Sequence, residues 1–152
     1  MLQLIVDADA CPVTELAVRA AARFGAPAVL VCDHSHALSI PGAQVITVSQ
    51  GADSADYCIS SLCRPGDVVV TQDYGLAALV LARGGFPISQ DGLIYSDDNI
   101  SALLESRHFA AKVRRSGGRL RGPKKRTRAQ NEAFLASFEA LLERLCRPPD
   151  KK

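Results

Sequence analysis

Leu2-Gln3-Leu4-Ile5-Val6-Asp7-Ala8-Asp9-Ala10-Cys11-Pro12 is an apolar run that stops at two aspartates and a proline. Its Val, Ile and Leu content suits a short strand buried on both faces of a parallel sheet. Asp7 and Asp9 stand two apart, so a continuing strand would turn both carboxylates to the same side. Pro12 suits the first turn of a helix, whose free N–H groups would face the same crevice. Open α/β sheets bind ligands at the carboxyl ends of their strands. Two acids at that place predict a cation site or acid chemistry, against the plainer reading that one Asp caps the helix.

The rest of the chain repeats the pattern. Val13, Leu16, Ala17, Ala20, Ala21 and Phe24 recur at helical spacing, Arg19 and Arg23 fall on the opposite face, and Gly25 ends the helix. Ala28–Cys32 reads as a second strand and Gln44–Val48 as a third, with a loop from Asp33 to Gly42 between them. Gly51–Ser54 opens a helix with Ala55, Cys58, Ile59 and Leu62 inward. Pro65-Gly66-Asp67 is a turn before the strand Val68–Thr71, which ends at Gln72-Asp73. Leu76, Leu79 and Val80 mark the next helix, closed by Gly84-Gly85; Phe86–Ile88 is a fifth strand and Leu93–Tyr95 a brief extended piece. Ser96 or Asp97 caps a helix through Ile100, Leu103 and Leu104. Strands alternating with helices predict an α/β fold: one three-layer domain over residues 1–152 with a mostly parallel central sheet.

Charge divides this domain. Residues 1–105 hold 12 acidic and 4 basic side chains, a balance of −8, whereas residues 106–152 hold 4 acidic and 14 basic, a balance of +10. An acidic α/β body joined to a basic C-terminal part suits an enzyme acting on a polyanion. With 47% hydrophobic residues the chain has material for a real core, while no apolar run reaches membrane-spanning length and no basic leader precedes the first strand. The expectation is a cytoplasmic protein without membrane contact, and a homo-oligomer is compatible with it. Five cysteines follow no disulfide or zinc framework, and Cys11 is expected to be a packed thiol. Cys32, His34 and His36 alternate but lack a fourth zinc ligand.

Three acidic clusters fall at strand ends and helix starts: Asp7 with Asp9, Asp53 with Asp56, and Asp73. Asp53 and Asp56 are three apart, on one face if both are helical. If the first and fourth strands are neighbours, Asp7, Asp9 and Asp73 meet in one crevice. Two unit charges about 4 Å apart repel by about 4 kcal/mol at an effective dielectric near 20, so such a cluster should bind a cation or keep a proton. Hard oxygen ligands favour Mg²⁺ or Mn²⁺. Metal held this way clamps a phosphodiester and activates water. Thr71 and Ser54 are candidates for orienting a carboxylate, metal-bound water or phosphate.

Residues 112–128 carry nine Lys/Arg, four Gly/Pro and no acid, and are expected to form a mobile loop. Arg114, Arg115, Arg119, Arg121, Lys124, Lys125 and Arg126 would neutralise a nucleic-acid backbone, without aromatic residues to stack bases. Thr127 with Gln130 forms a capping box for a last amphipathic helix. Phe134, Phe138, Leu141, Leu142 and Leu145 make its docking stripe, and Pro148-Pro149 stops it.

Val6-Asp7-Ala8-Asp9-Ala10-Cys11-Pro12-Val13, Gly51-Ala52-Asp53-Ser54-Ala55-Asp56, the stretch Gly66–Ala77 and Gly122-Pro123-Lys124-Lys125-Arg126-Thr127 together resemble the bacterial YaiI/YqxD family over essentially the whole chain. That family is grouped with PIN-like, Rossmann-like nuclease domains, which use acids to bind divalent metal and cut RNA. The resemblance implies a PIN-like fold and RNA, more than DNA, as partner. Asp7 matches the acid after the first strand and Asp73 the acid of the Thr-x-Asp pattern, with Asp9, Asp53 and Asp56 as partners. The spacing differs from that of typical PIN nucleases, and no central Glu is evident. Asp7-Ala8-Asp9 also resembles the opening motif of haloacid-dehalogenase-type phosphohydrolases, with Asp7 as nucleophile and Asp9 as acid/base. Against that, Pro12 starts a helix at once and every Lys lies in the basic segment or at the terminus. A third reading is a non-catalytic nucleic-acid-binding module.

Overall fold

The computed structural model describes residues 2–33, 39–51, 53–117 and 125–147, without the side chains of 108–110. Five strands alternate with helices: β1 Leu4–Asp7, α1 Thr14–Arg23, β2 Ala28–Cys32, β3 Ala43–Thr47, α2 Ser54–Leu62, β4 Val68–Val70, α3 Tyr74–Ala82 and β5 Phe86–Ile88. Two long helices follow, α4 Asp97–Arg115 and α5 Arg128–Cys146. The strands form one sheet in the order β3-β2-β1-β4-β5, every pairing parallel. The chain winds outward from β1 to β3, then returns to place β4 on the other side of β1. A crevice opens where the winding reverses, between β1 and β4.

The sequence dictates the central position of β1, β2 and β4, whose apolar residues bury both faces, whereas β3 at one edge leaves Gln44 and Thr47 exposed. Pro87 sits in the other edge strand, where its missing N–H costs no ladder bond. Alternation along β1 sends Leu4 and Val6 to one layer and Ile5 to the other. The first layer is α1 with α5, where Ala17, Ala20 and Ala21 let the stacked rings of Phe134 and Phe138 approach the sheet. The second is α2 with α3, through Ile59, Leu76 and Val80. Helix α4 lies outside α3, its Ile100 packed with Ala77 of α3 and with Tyr95.

The turn before β4 holds a buried acid that is structural. Asp67 Oδ1 accepts from the Gln3 N–H at 3.0 Å, and Oδ2 accepts from the Arg64 N–H at 2.9 Å and from Gln3 Nε2 at 3.0 Å. It thereby ties the starts of β1 and β4 together. Asp67→Ala leaves these donors unpaired in a dry place, and a stability loss of about 2–3 kcal/mol is expected. Urea unfolding should show it as a lower midpoint at unchanged slope.

One expectation needs correction here. Lys112–Arg115 were expected to be loop, yet they form the last turn of α4. Nothing before Ser116-Gly117 breaks a helix that the Asn99 side chain starts by accepting from the Ser96 N–H at 2.9 Å, and Lys and Arg are good helix formers. Leu76, Leu79 and Val80 do mark α3, of which Leu76 and Val80 are buried while Leu79 is 48% exposed. Helix α3 is apolar on every side, so periodicity cannot choose its inner face. The capping box at α5 is present as read: Gln130 N–H donates to Thr127 Oγ1 at 3.3 Å and Thr127 N–H to Gln130 Oε1 at 2.7 Å. Pro148-Pro149 and residues 118–124 lie outside the described residues. No described helix is long and apolar enough to cross a membrane.

Candidate active site at the carboxyl ends of β1 and β4

Strand β1 ends at Asp7, which keeps the strand geometry and shares a sheet face with Ile5, the side of α2 and α3. Thr71, buried just past β4, donates its hydroxyl to Asp7 Oδ2 at 3.0 Å and accepts from the Asp73 N–H at 3.0 Å. One hydroxyl therefore couples the two acids' positions. The Thr71 backbone is itself fixed: its N–H donates to the Ile88 carbonyl at 3.0 Å, and its carbonyl accepts from Tyr95 Oη at 3.2 Å. Burial pushes the Tyr95 phenol far above its ordinary range, so it serves as a donor.

Asp73 is the N-cap of α3, with Oδ1 accepting from the Leu76 N–H at 3.0 Å. The Arg107 guanidinium of α4 stands 3.5 Å from the same oxygen. Capping and membership of an acid cluster are thus compatible in one side chain. Asp56, in the first turn of α2, lies within reach of the charges of Asp73 and Asp7. Partial burial first, then the negative charges of Asp73, Asp7 and Asp53, push its carboxyl up to about 6. Asp7 is also raised, first by burial and then by the charges of Asp73, Asp9 and Asp33, against the lowering by Thr71.

A raised carboxyl pKa in the folded state means that the native protein holds its proton more tightly than the unfolded chain. The associated stability is full below the ordinary range near 4 and is lost as pH rises through about 6. Metal-free protein is therefore expected to melt at a lower temperature at pH 7.5 than at pH 5.5, and Asp56→Asn should flatten that dependence. Melting curves across this interval, in the presence of a chelator, measure it.

The structure does not bring every expected acid in on the same terms. Asp9 was expected beside Asp7 on a continuing strand. Instead the chain leaves the sheet after Asp7, turns through Asp9-Ala10 with Ala10 at φ +57°, and Asp9 Oδ2 accepts from the Asp33 N–H at 2.7 Å. Alternation held only to the last paired residue. Asp9 still lines the crevice, on its β2 side. Nor does either acid cap α1, whose N-cap is Val13. Asp53, expected on one helical face with Asp56, is the N-cap of α2 in the left-handed region at φ +72° and caps nothing with its side chain. Such a backbone is unusual for any residue with a side chain and tolerated best by Asn and Asp. Ser54 is the half-buried first residue of α2.

The basic residues divide as well. Arg114 and Arg115 are exposed on the last turn of α4, Lys125 is exposed, and Arg119, Arg121 and Lys124 lie outside the described residues, as do His34 and His36. Arg126 is engaged inside the protein: Nε with Asn131 Oδ1 at 2.7 Å, Nη1 with Asp91 Oδ1 at 2.7 Å and Nη2 with the Gln90 carbonyl at 2.6 Å. Cys11 is half-buried with its thiol raised chiefly by burial, as a packed thiol should be. Sequence reasoning missed Arg107, Tyr95, Gln90 and Asp33, which reach the site from distant or irregular segments. Only the spacing of Asp33 after β2, like that of Asp7 after β1, was a visible signal.

The donor set is suited to a hard divalent cation: carboxylates and a hydroxyl, with a negative charge excess that Arg107 partly offsets. Among the described residues no three His, Cys, Asp or Glu side chains close around one point. Mg²⁺ does not require that closure, since it keeps several waters and takes one or two carboxylates together with substrate phosphate. Asp7, held by Thr71, and Asp73, held by the N-terminus of α3, offer two such carboxylates.

The family described as "Uncharacterized BCR, YaiI/YqxD family" matches the chain over residues 5–144. A UPF0178 protein of Exiguobacterium sibiricum is 48% identical over 141 residues, covering 93% of this chain and 96% of the relative. UPF0178 proteins of Clostridium acetobutylicum and Bacillus cereus are each 42% identical, covering 94% of this chain and 98% and 100% of their own lengths. No solved structure matches the chain.

Proposed function

The chain belongs to the YaiI/YqxD family, and we propose that it is a divalent-metal-dependent phosphodiesterase that cuts nucleic acid on a PIN-like scaffold. The observation that carries this reading is the convergence of acids on the crevice: one Thr71 hydroxyl holds both the Asp7 carboxylate and the Asp73 N–H at 3.0 Å, and Asp56 feels the charges of Asp73 and Asp7. Acids crowded in this way keep a proton or hold a cation, and a carboxyl pushed up to about 6 is mostly ionised at neutral pH, where a cation can take the proton's place.

Two of the carboxylates of Asp7, Asp56 and Asp73 would hold Mg²⁺ or Mn²⁺, with the third, Asp9 and Asp53 supplying negative charge around it. Such an ion, when bound, neutralises phosphate oxygens and lowers the pKa of a bound water. The protein's own groups do the rest. Thr71 fixes the carboxylate of Asp7, the α3 N-terminus fixes that of Asp73, and Arg107 offers a guanidinium to a phosphate beside them. Arg114, Arg115 and Lys125 would hold the flanking backbone by charge, without reading sequence. The preference for RNA over DNA rests on the resemblance to PIN-like nucleases. Asp9 favours this reading over a haloacid-dehalogenase mechanism, because its carboxylate is committed to the Asp33 N–H, away from an acid/base position next to Asp7.

End-labelled single-stranded and duplex RNA and DNA, incubated with Mg²⁺ or Mn²⁺, provide the test. Cleavage of RNA that stops on chelation is expected. Absence of metal-dependent cleavage across the whole panel would overturn the proposal.

A further inference from the structure

We infer that the crevice beside the acids seats one nucleobase of a single-stranded polynucleotide, read by the carboxamides of Gln72 and Gln90; this rests on the phosphodiesterase reading above. The crevice holds about 300 Å³, the low end of small-ligand sites and enough for one unstacked base with its sugar. Its wall is of mixed character. Asp7 and Asp9 line it together with Gln72 and Gln90, and Ala10, Cys11 and Val70 add apolar surface. Among the described residues no Lys or Arg lines it, so these groups do not recognise phosphate by charge.

The two carboxamides are presented for recognition. Gln72 Oε1 accepts from the Gln90 N–H at 3.1 Å, which turns the two residues into a single lip. Among the described residues nothing engages Gln72 Nε2 or either polar atom of the Gln90 side chain. A carboxamide offers a donor and an acceptor side by side, the pattern that matches the polar edge of a base. The lip is also rigid. Arg126 grips the Gln90 carbonyl and Asp91, while Ser89 Oγ accepts from the Asp91 and Leu93 N–H groups at 3.1 and 3.0 Å. Gly92, at φ +90°, lets this loop touch α5, where an added Cβ would stand 2.8 Å from the Ala133 carbonyl. Ser137 Oγ closes the contact by donating to the Gly92 carbonyl at 2.6 Å. A recognition surface held this way loses little freedom on binding. Arg126 is accordingly a positioning residue for the lip.

Only a base free of its partner can enter such a crevice, and one that does brings its own backbone phosphate to the acids. The substrate class that follows is single-stranded nucleic acid.

The test uses the full chain, isotopically labelled, titrated with the four ribonucleosides, which carry no phosphate, and separately with inorganic phosphate. At least one nucleoside should shift the side-chain amide resonances of Gln72 and Gln90, and phosphate should leave them in place. A labelled RNA hexamer should bind more tightly than its duplex. Gln90→Ala should weaken nucleoside binding about three- to tenfold, the scale of one or two lost hydrogen bonds. Its melting temperature should not change, because among the described residues nothing bonds to that side chain. Gln72→Ala gives a second check on the same lip. Nucleosides that shift neither glutamine, or equal shifts by phosphate alone, would overturn the inference, as would equal affinity for duplex. Nucleoside binding lost in Gln90→Ala, with no RNA cleaved by the wild type, would leave the base seat standing and remove the phosphodiesterase; cleavage without glutamine shifts would do the reverse.

Discussion

Asp7→Asn is expected to lower metal-dependent RNA cleavage by at least about 10²-fold while leaving the protein as stable as before or more so. The asparagine carbonyl still accepts from Thr71 Oγ1, so the local geometry survives. What disappears is a half-buried negative charge whose ionisation is disfavoured by burial and by three neighbouring acids. Removing a group that the fold would rather keep protonated relieves the native state at neutral pH. Loss of activity with a retained or raised melting temperature therefore separates a functional acid from a structural one. Asp67→Ala provides the opposite control: an acid with three donors on it, whose loss should cost stability and leave the crevice alone. Asp7→Asn retaining more than a tenth of wild-type activity would remove Asp7 from the machinery.

Phe138→Ala should produce the largest loss of stability, about 3–5 kcal/mol. Phe134 and Phe138 are both fully buried, with ring centroids 5.1 Å apart and planes inclined by 17°. They fill the layer between α1, α5 and the sheet, where alanines on α1 leave a space that only large rings complete. A loss of this size is a large share of the roughly 5–15 kcal/mol by which domains are stable. Phe138→Leu keeps most of the volume and should cost under half as much. The effect should also reach the crevice lip, because α5 holds it through Ser137 and Asn131. Denaturant unfolding followed by circular dichroism measures the loss, and a change below about 1 kcal/mol would contradict the docking of α5 described here.

Much of this architecture was legible because β-branched and leucine-rich runs bounded by glycine and proline leave few choices. Ala28–Cys32 and Phe86–Ile88 were read to the residue, and Thr127 with Gln130 marked the start of α5. Parallel pairing followed from the alternation with helices. The neighbouring positions of β1 and β4 did not, since strand order is a property of long-range packing. The readings that failed did so where a local rule was carried past its element. Period-two alternation put Asp9 beside Asp7, but the chain turns at Asp9-Ala10, just past the strand's last pairing at Asp7. Charge and glycine content made Lys112–Arg115 look like loop, although charged residues prolong a helix well.

The site shows the same division. Asp7, Asp56 and Asp73 were visible as acids at element boundaries. Their electrostatic coupling, the role of Thr71 as a bridge and the arrival of Arg107 join positions 17 to 64 residues apart in the chain, which no local pattern encodes. Arg126 shows this most clearly: a cation expected to face nucleic acid instead spends its donors on Asn131, Asp91 and Gln90.

The acid cluster as a metal seat is the central claim, and Mn²⁺ titration followed by electron paramagnetic resonance tests it without any substrate. At pH 7.5 the free Mn²⁺ signal should fall as protein is added, show saturable binding, and return when Mg²⁺ is supplied in excess. Asp7→Asn, Asp56→Asn and Asp73→Asn should each weaken that binding, and Asp67→Ala should leave it unchanged. A Mn²⁺ signal that wild-type protein does not diminish at millimolar concentration, or that all three variants diminish as strongly as wild type, would contradict the account.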